Sequence, residues 1–151
     1  MPKILVDADA IPNLLKEILC RVAVREKIKV TFIANQRIQL PRSPFIQSIQ
    51  VLSGFDVADQ RIVDLTEKND LIITADIPLA KDILNKAGKA LNPRGYFYDQ
   101  GTIDAKLTMR DFNDALRGSG IQTKGPSPLT QRDRQLFTNN LDLWLRDYHR
   151  L

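Results

Sequence analysis

ILVDADA, Ile4 to Ala10, and LIITADIPLA, Leu71 to Ala80, decide how this chain is read. Each is a run of apolar, partly β-branched residues that stops at an aspartate, Asp7 or Asp76, before a helix-period pattern begins. Such a run followed by a helical pattern reads as a buried parallel strand feeding its crossover helix. In open α/β sheets, ligands bind outside the carboxyl ends of the strands. If these two strands are neighbours, Asp7, Asp9 and Asp76 meet at one rim.

Working outward, Lys3 to Asp7 is the first strand, and Pro12 suits the first turn of a helix from Asn13 to about Arg25. Asp9 is the candidate cap of that helix, and Leu14, Leu15, Ile18, Leu19 and Val22 form its apolar stripe. Cys20 falls off the stripe and reads as a small inert side chain. Lys29 to Ala34 is a second strand, followed by a loop from Asn35 to Pro44 at the same rim, and Ser48 to Leu52 is a short third strand. Ser53 to Thr66 opens with a turn and becomes a helix. Asp56 could cap it, with Asp59 on the same face three residues later. Asp70, at the amino end of the fourth strand (Leu71 to Thr74), is structural. Pro78 opens another helix, for which Gly88 is the expected stop. Lys89 to Leu91 is a fifth strand, broken by the turn Asn92-Pro93-Arg94-Gly95, and the aromatic trio Tyr96, Phe97 and Tyr98 packs into the core. Helical patterns follow from Thr102 to about Leu116 and from Gln131 to His149, the latter capped by Thr130. A Gly/Pro linker separates these two helices, and the last docks on the domain or on a second subunit as a homodimer.

Composition narrows the chemistry. The chain has 151 residues, which is one domain by default. No apolar run approaches the ~18 residues of a membrane span. The acids in MPKILVDADA leave no uninterrupted apolar region for an export signal. One cysteine fits a reducing cytoplasm. The only histidine, His149, stands two residues from the end, which argues against a serine- or cysteine-histidine catalytic site. Zinc lacks its ligands, so any metal chemistry must use carboxylate oxygens and points to Mg²⁺ or Mn²⁺. A net charge of +4 makes an anionic partner plausible.

Capping accounts for Asp9, Asp56 and Asp76 singly, but not for Asp7, which ends a strand two residues before the candidate cap. Nor does capping explain why acids should converge. Two carboxylates about 4 Å apart repel by ~4 kcal/mol at an effective dielectric near ~20, so a cluster needs a cation or bound protons. A divalent ion would offset that repulsion, activate water and stabilise an in-line phosphoryl displacement. The expectation is a metal-dependent phosphodiesterase with Asp7 and Asp76 as direct ligands. Asp9 and Asp59 would ligate directly or through water, and Asp56 comes last among the candidate ligands.

The motifs DADA (Asp7 to Ala10), ANQ (Ala34 to Gln36), GFDVAD (Gly54 to Asp59), ITADIPLA (Ile73 to Ala80), LNPRG (Leu91 to Gly95), MRDF (Met109 to Phe112) and QRDRQ (Gln131 to Gln135) follow in order. On them the chain resembles the uncharacterised bacterial YaiI/YqxD family over nearly its whole length. It departs at Ile11, where the family usually has cysteine, and at Lys124, where glycine is common, so a thiol at position 11 is not essential. That family is similar to PIN-like domains, nucleases with acids at the ends of parallel strands. The resemblance implies a single PIN-like domain over residues 1–151, a three-layer α/β/α sandwich with a mostly parallel central sheet. Asp7, Asp59 and Thr74-Ala75-Asp76 would take the three acid places in order, and the resemblance favours RNA over DNA as substrate.

Two rivals remain open. Asp7-x-Asp9 after an apolar strand also opens the haloacid-dehalogenase type of phosphatase, with Thr74 in its second motif. In that class, however, the closing acid pair follows the threonine, whereas Asp56 and Asp59 precede Thr74. The other rival is a non-catalytic nucleic-acid-binding or regulatory module. Arg37, Arg42, Arg94, Arg110, Arg132 and Arg134 are the candidate phosphate contacts, Arg37 and Arg94 foremost because their loops should lie near the rim.

Overall fold

The computed structural model describes residues 1–9, 11–54, 56–118 and 128–150. Its elements in order are β1 (Ile4–Asp7), α1 (Asn13–Glu26), β2 (Val30–Ala34), β3 (Ile46–Gln50), α2 (Val57–Leu65), β4 (Leu71–Ile73), α3 (Ile77–Asn85), β5 (Lys89–Leu91), α4 (Ile103–Gly118) and α5 (Gln131–His149). The five strands form one sheet in the order β3-β2-β1-β4-β5, with every neighbouring pair parallel. Strand order therefore reverses between β1 and β4. Right-handed crossovers that grow a sheet in opposite directions must cover opposite faces. Accordingly α1 lies on one face, where α5 joins it, and α2, α3 and α4 pack on the other. The result is the expected α/β/α sandwich. Among the described residues, no helix is long and apolar enough to cross a membrane.

Alternation along the strands assigns the two cores. Ile4, Val6, Phe32, Leu71 and Ile73 face α1 and α5, where they meet Leu15, Leu19, Phe137 and Leu141. Leu5, Ile33 and Ile72 face the other way, against Ile62, Leu79 and Ile83. Because side chains alternate with period two, Asp7 follows Leu5 and Thr74 follows Ile72 onto that second face.

Several local expectations shift. Helix α1 buries Leu15, Leu19, Cys20, Val22 and Ala23 and leaves Leu14 39% exposed. Cys20 thus lies on the buried face, and burial raises its thiol pKa. The third strand starts two residues earlier than its alternation suggested, because Phe45 and Ile46 pair with Val30 at the amino end of the edge. Helix α3 stops at Lys86, and the left-handed residue is Ala87 (φ 63°) rather than Gly88. The Gly88 and Ala87 amides bond back to the Ile83 and Leu84 carbonyls, the paired bonds of a Schellman turn. Gly88 is instead selected by space, since a Cβ there would stand 2.8 Å from Ile83 Cγ2. Asp70 is structural, as expected. It is buried, accepts from the Lys3 and Glu67 amides, and pairs with Lys3 Nζ at 2.7 Å.

The last helix docks on its own chain. Thr130 and Asp133 form a reciprocal capping box at its start. Phe137, Leu141, Trp144 and Leu145 then seal the face that α1 leaves open, and Trp144 Nε1 donates to the Asn69 carbonyl at 3.2 Å. Of the Gly/Pro linker expected before it, residues 119–127 lie outside those described. The turn after β5 meets α5 backbone to backbone: Gly95 (φ 101°) accepts from Asn140 Nδ2, and a Cβ on it would lie 2.4 Å from the Phe137 nitrogen. That nitrogen, and the Leu136 carbonyl carbon at 2.7 Å, cannot move without moving α5. Gly95→Ala should therefore destabilise the fold by ~2–4 kcal/mol, the range of backbone strain added to loosened core packing. Chemical denaturation checks this, and an unchanged midpoint would show that α5 is not held by this contact.

Candidate functional site

The site is built where strand order reverses, the place at which open α/β sheets form a crevice. The β1–β4 register pairs Leu5 with Ile72 and Val6 with Ile73, so Asp7 and Thr74 come next on adjoining strands, on the same face. Thr74 Oγ1 donates to Asp7 Oδ2 at 2.9 Å. The same hydroxyl accepts from the Asp76 amide at 3.0 Å, so one buried threonine links the two acids. Tyr98 fixes that threonine from behind. Its hydroxyl donates to the Thr74 carbonyl at 3.2 Å and accepts from Asn92 Nδ2 at 2.8 Å. Burial pushes the Tyr98 pKa up, so it remains a donor.

Asp76 caps α3, its Oδ1 accepting from the Leu79 amide at 3.0 Å. Asp59 enters from the first turn of α2. Its pKa is raised to about 7, first by burial and then by the Asp76 and Asp7 charges, with a hydrogen-bond interaction to Asp76 and the Asp56 charge adding to it. Asp7 is raised too. Burial is the main cause, the Thr74 hydrogen bond opposes it, and the Asp76 and Asp9 charges add to it. Asp7, Asp59 and Asp76 therefore form one electrostatically coupled group, whereas the two strand ends alone suggested Asp7, Asp9 and Asp76. A cavity of about 300 Å³ opens beside it, lined by Asp56, Asp59, Asp76, Asp82 and Arg110.

The outer candidates divide. Asp56 reaches the cavity but does not cap α2. It sits in the left-handed region (φ 61°) and makes no capping bond, so the capping box considered for Asp56 and Asp59 is not formed. Asp9 does not cap α1 either. The N-cap there is Pro12, and both Asp9 carboxylate oxygens accept from the Asn35 amide, at 2.8 and 3.1 Å. Asp9 thus clasps the exits of β1 and β2 together. Among the described residues, no three His, Cys, Asp or Glu side chains are gathered to hold one ion. The acids form a coupled group rather than a ready ligand shell.

The arginines also divide. Arg110 lines the cavity from α4, with Asp111 at 3.4 Å and Asp114 at 4.0 Å. Arg37 is exposed on the loop that starts at the rim. Arg42 is exposed near the far end of that loop, four residues before β3 begins at the amino side of the sheet. Arg94 is drawn to α5, pairing with Asp133 at 2.8 Å. Sequence reasoning missed Asp82 and the supporting Asn92–Tyr98 pair. Asp82 follows Asp76 by six residues, a spacing that helical face-counting does not join. Only the docking of residues 92–98 under Thr74 discloses the pair.

The model of the uncharacterized YaiI/YqxD family matches residues 5–147. A UPF0178 protein from Proteus mirabilis is 57% identical over 140 residues, 93% of each chain. A UPF0178 protein from Yersinia pestis and another from Yersinia pseudotuberculosis are each 58% identical over 144 residues, 95% of each chain. No solved structure matches the chain.

The raised Asp59 pKa carries a consequence for stability. Between 3.8, its ordinary value, and about 7, the folded chain holds a proton that the unfolded chain has released. Stability present below the unfolded value is therefore lost as pH rises through that window. Asp59→Asn should remove this loss. The variant's advantage in Tm should be small near pH ~4.5 and grow to a plateau above pH ~7, worth ~1–2 kcal/mol after allowance for solvent screening at a half-exposed group. Thermal melts across pH check this, and a gap that does not change with pH would refute the coupling.

Proposed function

The chain belongs to the YaiI/YqxD family, and we propose that it is a metal-dependent nuclease that hydrolyses phosphodiester bonds, RNA in preference to DNA. One observation carries the reading. Asp7, Asp59 and Asp76 come from three separate elements to one rim, where Thr74 ties Asp7 to the Asp76 backbone and where burial first and their mutual charge second make two of them hold protons more tightly than an ordinary carboxyl. Groups that repel in this way are relieved by a divalent cation.

The donor set suits Mg²⁺ or Mn²⁺, since it is all oxygen. Mg²⁺ keeps several waters and is commonly held by one or two carboxylates plus substrate phosphates, so a three-acid shell is not required. Asp7 and Asp76 would be the direct ligands, with Asp59 joining directly or through water once its proton leaves. Asp56 would stand further out, and Asp9 is the weakest candidate because the Asn35 amide occupies it. When bound, such an ion lowers the pKa of a water and offsets charge on the phosphoryl oxygens. The chain supplies the rest. Thr74 holds Asp7 in orientation, the Leu79 amide holds Asp76, and Arg110 faces the acids across the cavity, where it can meet a phosphate.

The phosphatase alternative has less support. It needs Asp9 beside Asp7 as a general acid, and Asp9 is turned to Asn35 instead. A non-catalytic nucleic-acid-binding module shares the arginines but gives no reason for the acids to converge.

Mn²⁺ at 100 times its dissociation constant should stabilise the fold by ~2.7 kcal/mol. Asp7→Asn and Asp76→Asn should each abolish that shift. Asparagine still caps helices, so Asp76→Asn tests the charge rather than the cap. The same variants should lose Mn²⁺-dependent cleavage of a single-stranded RNA. A full Mn²⁺ shift in either variant would remove the basis of the proposal.

A further inference from the structure

Away from the acids, the surface between α1 and α5 has the opposite character. Arg21 and Arg25 of α1 and Arg134 of α5 line one groove of about 380 Å³, against a single carboxylate, Asp142. Among the described residues, the guanidinium groups of Arg21 and Arg134 have no ion-pair partner, while Arg25 meets Glu26 at 3.2 Å. Two of these cations stand on α1 and one on α5, so the groove carries more positive charge than its one lining carboxylate balances. At the far end of the same two helices, that Glu26 also meets His149 of α5 at 2.9 Å, which leaves Arg21 and Arg134 as the groove's unpaired cations among the described residues.

We infer that this groove binds the phosphate backbone of single-stranded nucleic acid without regard to sequence. The inference deepens the nuclease reading and rests on it for the choice of RNA. Guanidinium groups match phosphate oxygens in two-pronged geometry. The groove floor is Leu14, Ile18 and Leu141, and none of the lining residues is aromatic, so it offers charge and no stacking platform for bases. It starts at Leu14, in the first turn of α1 beside the rim, and runs down the helix to Arg25. A strand leaving the acid site would cross the lip of the sheet to reach it, since the two lie on opposite faces. The chain's excess of 22 basic over 18 acidic residues, with several of the acids gathered at the rim, leaves this flank free to attract polyanions.

The test is binding of a fluorescein-labelled single-stranded oligoribonucleotide of mixed sequence, read by anisotropy with EDTA present and salt varied. Wild-type protein should bind, with affinity falling as salt rises. Arg21→Gln combined with Arg134→Gln should weaken binding at least about tenfold at low salt and flatten the log–log salt slope by ~1.4, at ~0.7 per phosphate contact on a single strand. Both residues are exposed, so the melting temperature should not move. Lys68→Gln, an exposed charge outside the groove, should bind as wild type. Unchanged affinity and slope in the double variant would overturn the inference, as would no binding by the wild type. Equal displacement of the RNA by polyglutamate at matched charge would also overturn it, since the groove would then suit an acidic protein as well. Failure here with the Mn²⁺ shift intact defeats only the groove, and failure of the Mn²⁺ shift with RNA binding intact defeats only the metal site.

Discussion

The pairing of β1 with β4 is the contact on which the rest depends. These strands are separated by more than sixty residues of chain, yet they lie side by side at the centre of the sheet. Their register alone sets Thr74 opposite Asp7. A slip of β4 by one residue would turn Thr74 to the α1 face and break the hydroxyl link between the acids. The fully buried Ile72 and Ile73 make such a slip prohibitive, since each would have to exchange cores. A packing constraint thus enforces a polar arrangement, and the hydrophobic interior keeps mutually repelling carboxyl groups together.

Much of this was legible in the sequence, for identifiable reasons. Parallel strands buried on both faces leave unbroken apolar runs, so β1, β2 and β4 could be placed within a residue or so. Their order along the chain, with helical patterns between, implied the sandwich. The edge strand β3 alternates weakly as IQSIQ, and its position was two residues off. The stripe of α1 holds at Leu15, Leu19 and Val22 and fails at Leu14, because Leu14 and Leu15 offer two phases and only contact with Phe137 and Leu141 selects one. Asp7, Asp59 and Asp76 could be anticipated from strand ends and order. The role of Asp9 could not. Its proximity to Pro12 suggests a cap, whereas the partner it takes, the Asn35 amide, is 26 residues away and is found only by folding β2 beside β1.

The two charged regions of the molecule differ in what holds them. At the rim, burial and mutual repulsion raise proton affinity, and the cost is carried by the core beneath. In the α1–α5 groove the charges are exposed, so water screens them and little stability is at stake. A substitution at the first should move folding and chemistry together, whereas one at the second acts on association alone. Family membership adds no activity to this picture, and the functional reading stands on these local electrostatics.

One packing detail gives the molecule a built-in optical probe. Its single tryptophan, Trp144, is 6% exposed, sits on α5, and donates its indole N–H to a carbonyl at the amino side of the sheet. Its emission therefore reports whether α5 is seated, at the end of the sheet opposite the acid rim. Fluorescence and any signal taken from the rim would follow different parts of the same fold, and their coincidence or divergence on heating would reveal whether the two ends come apart as one unit.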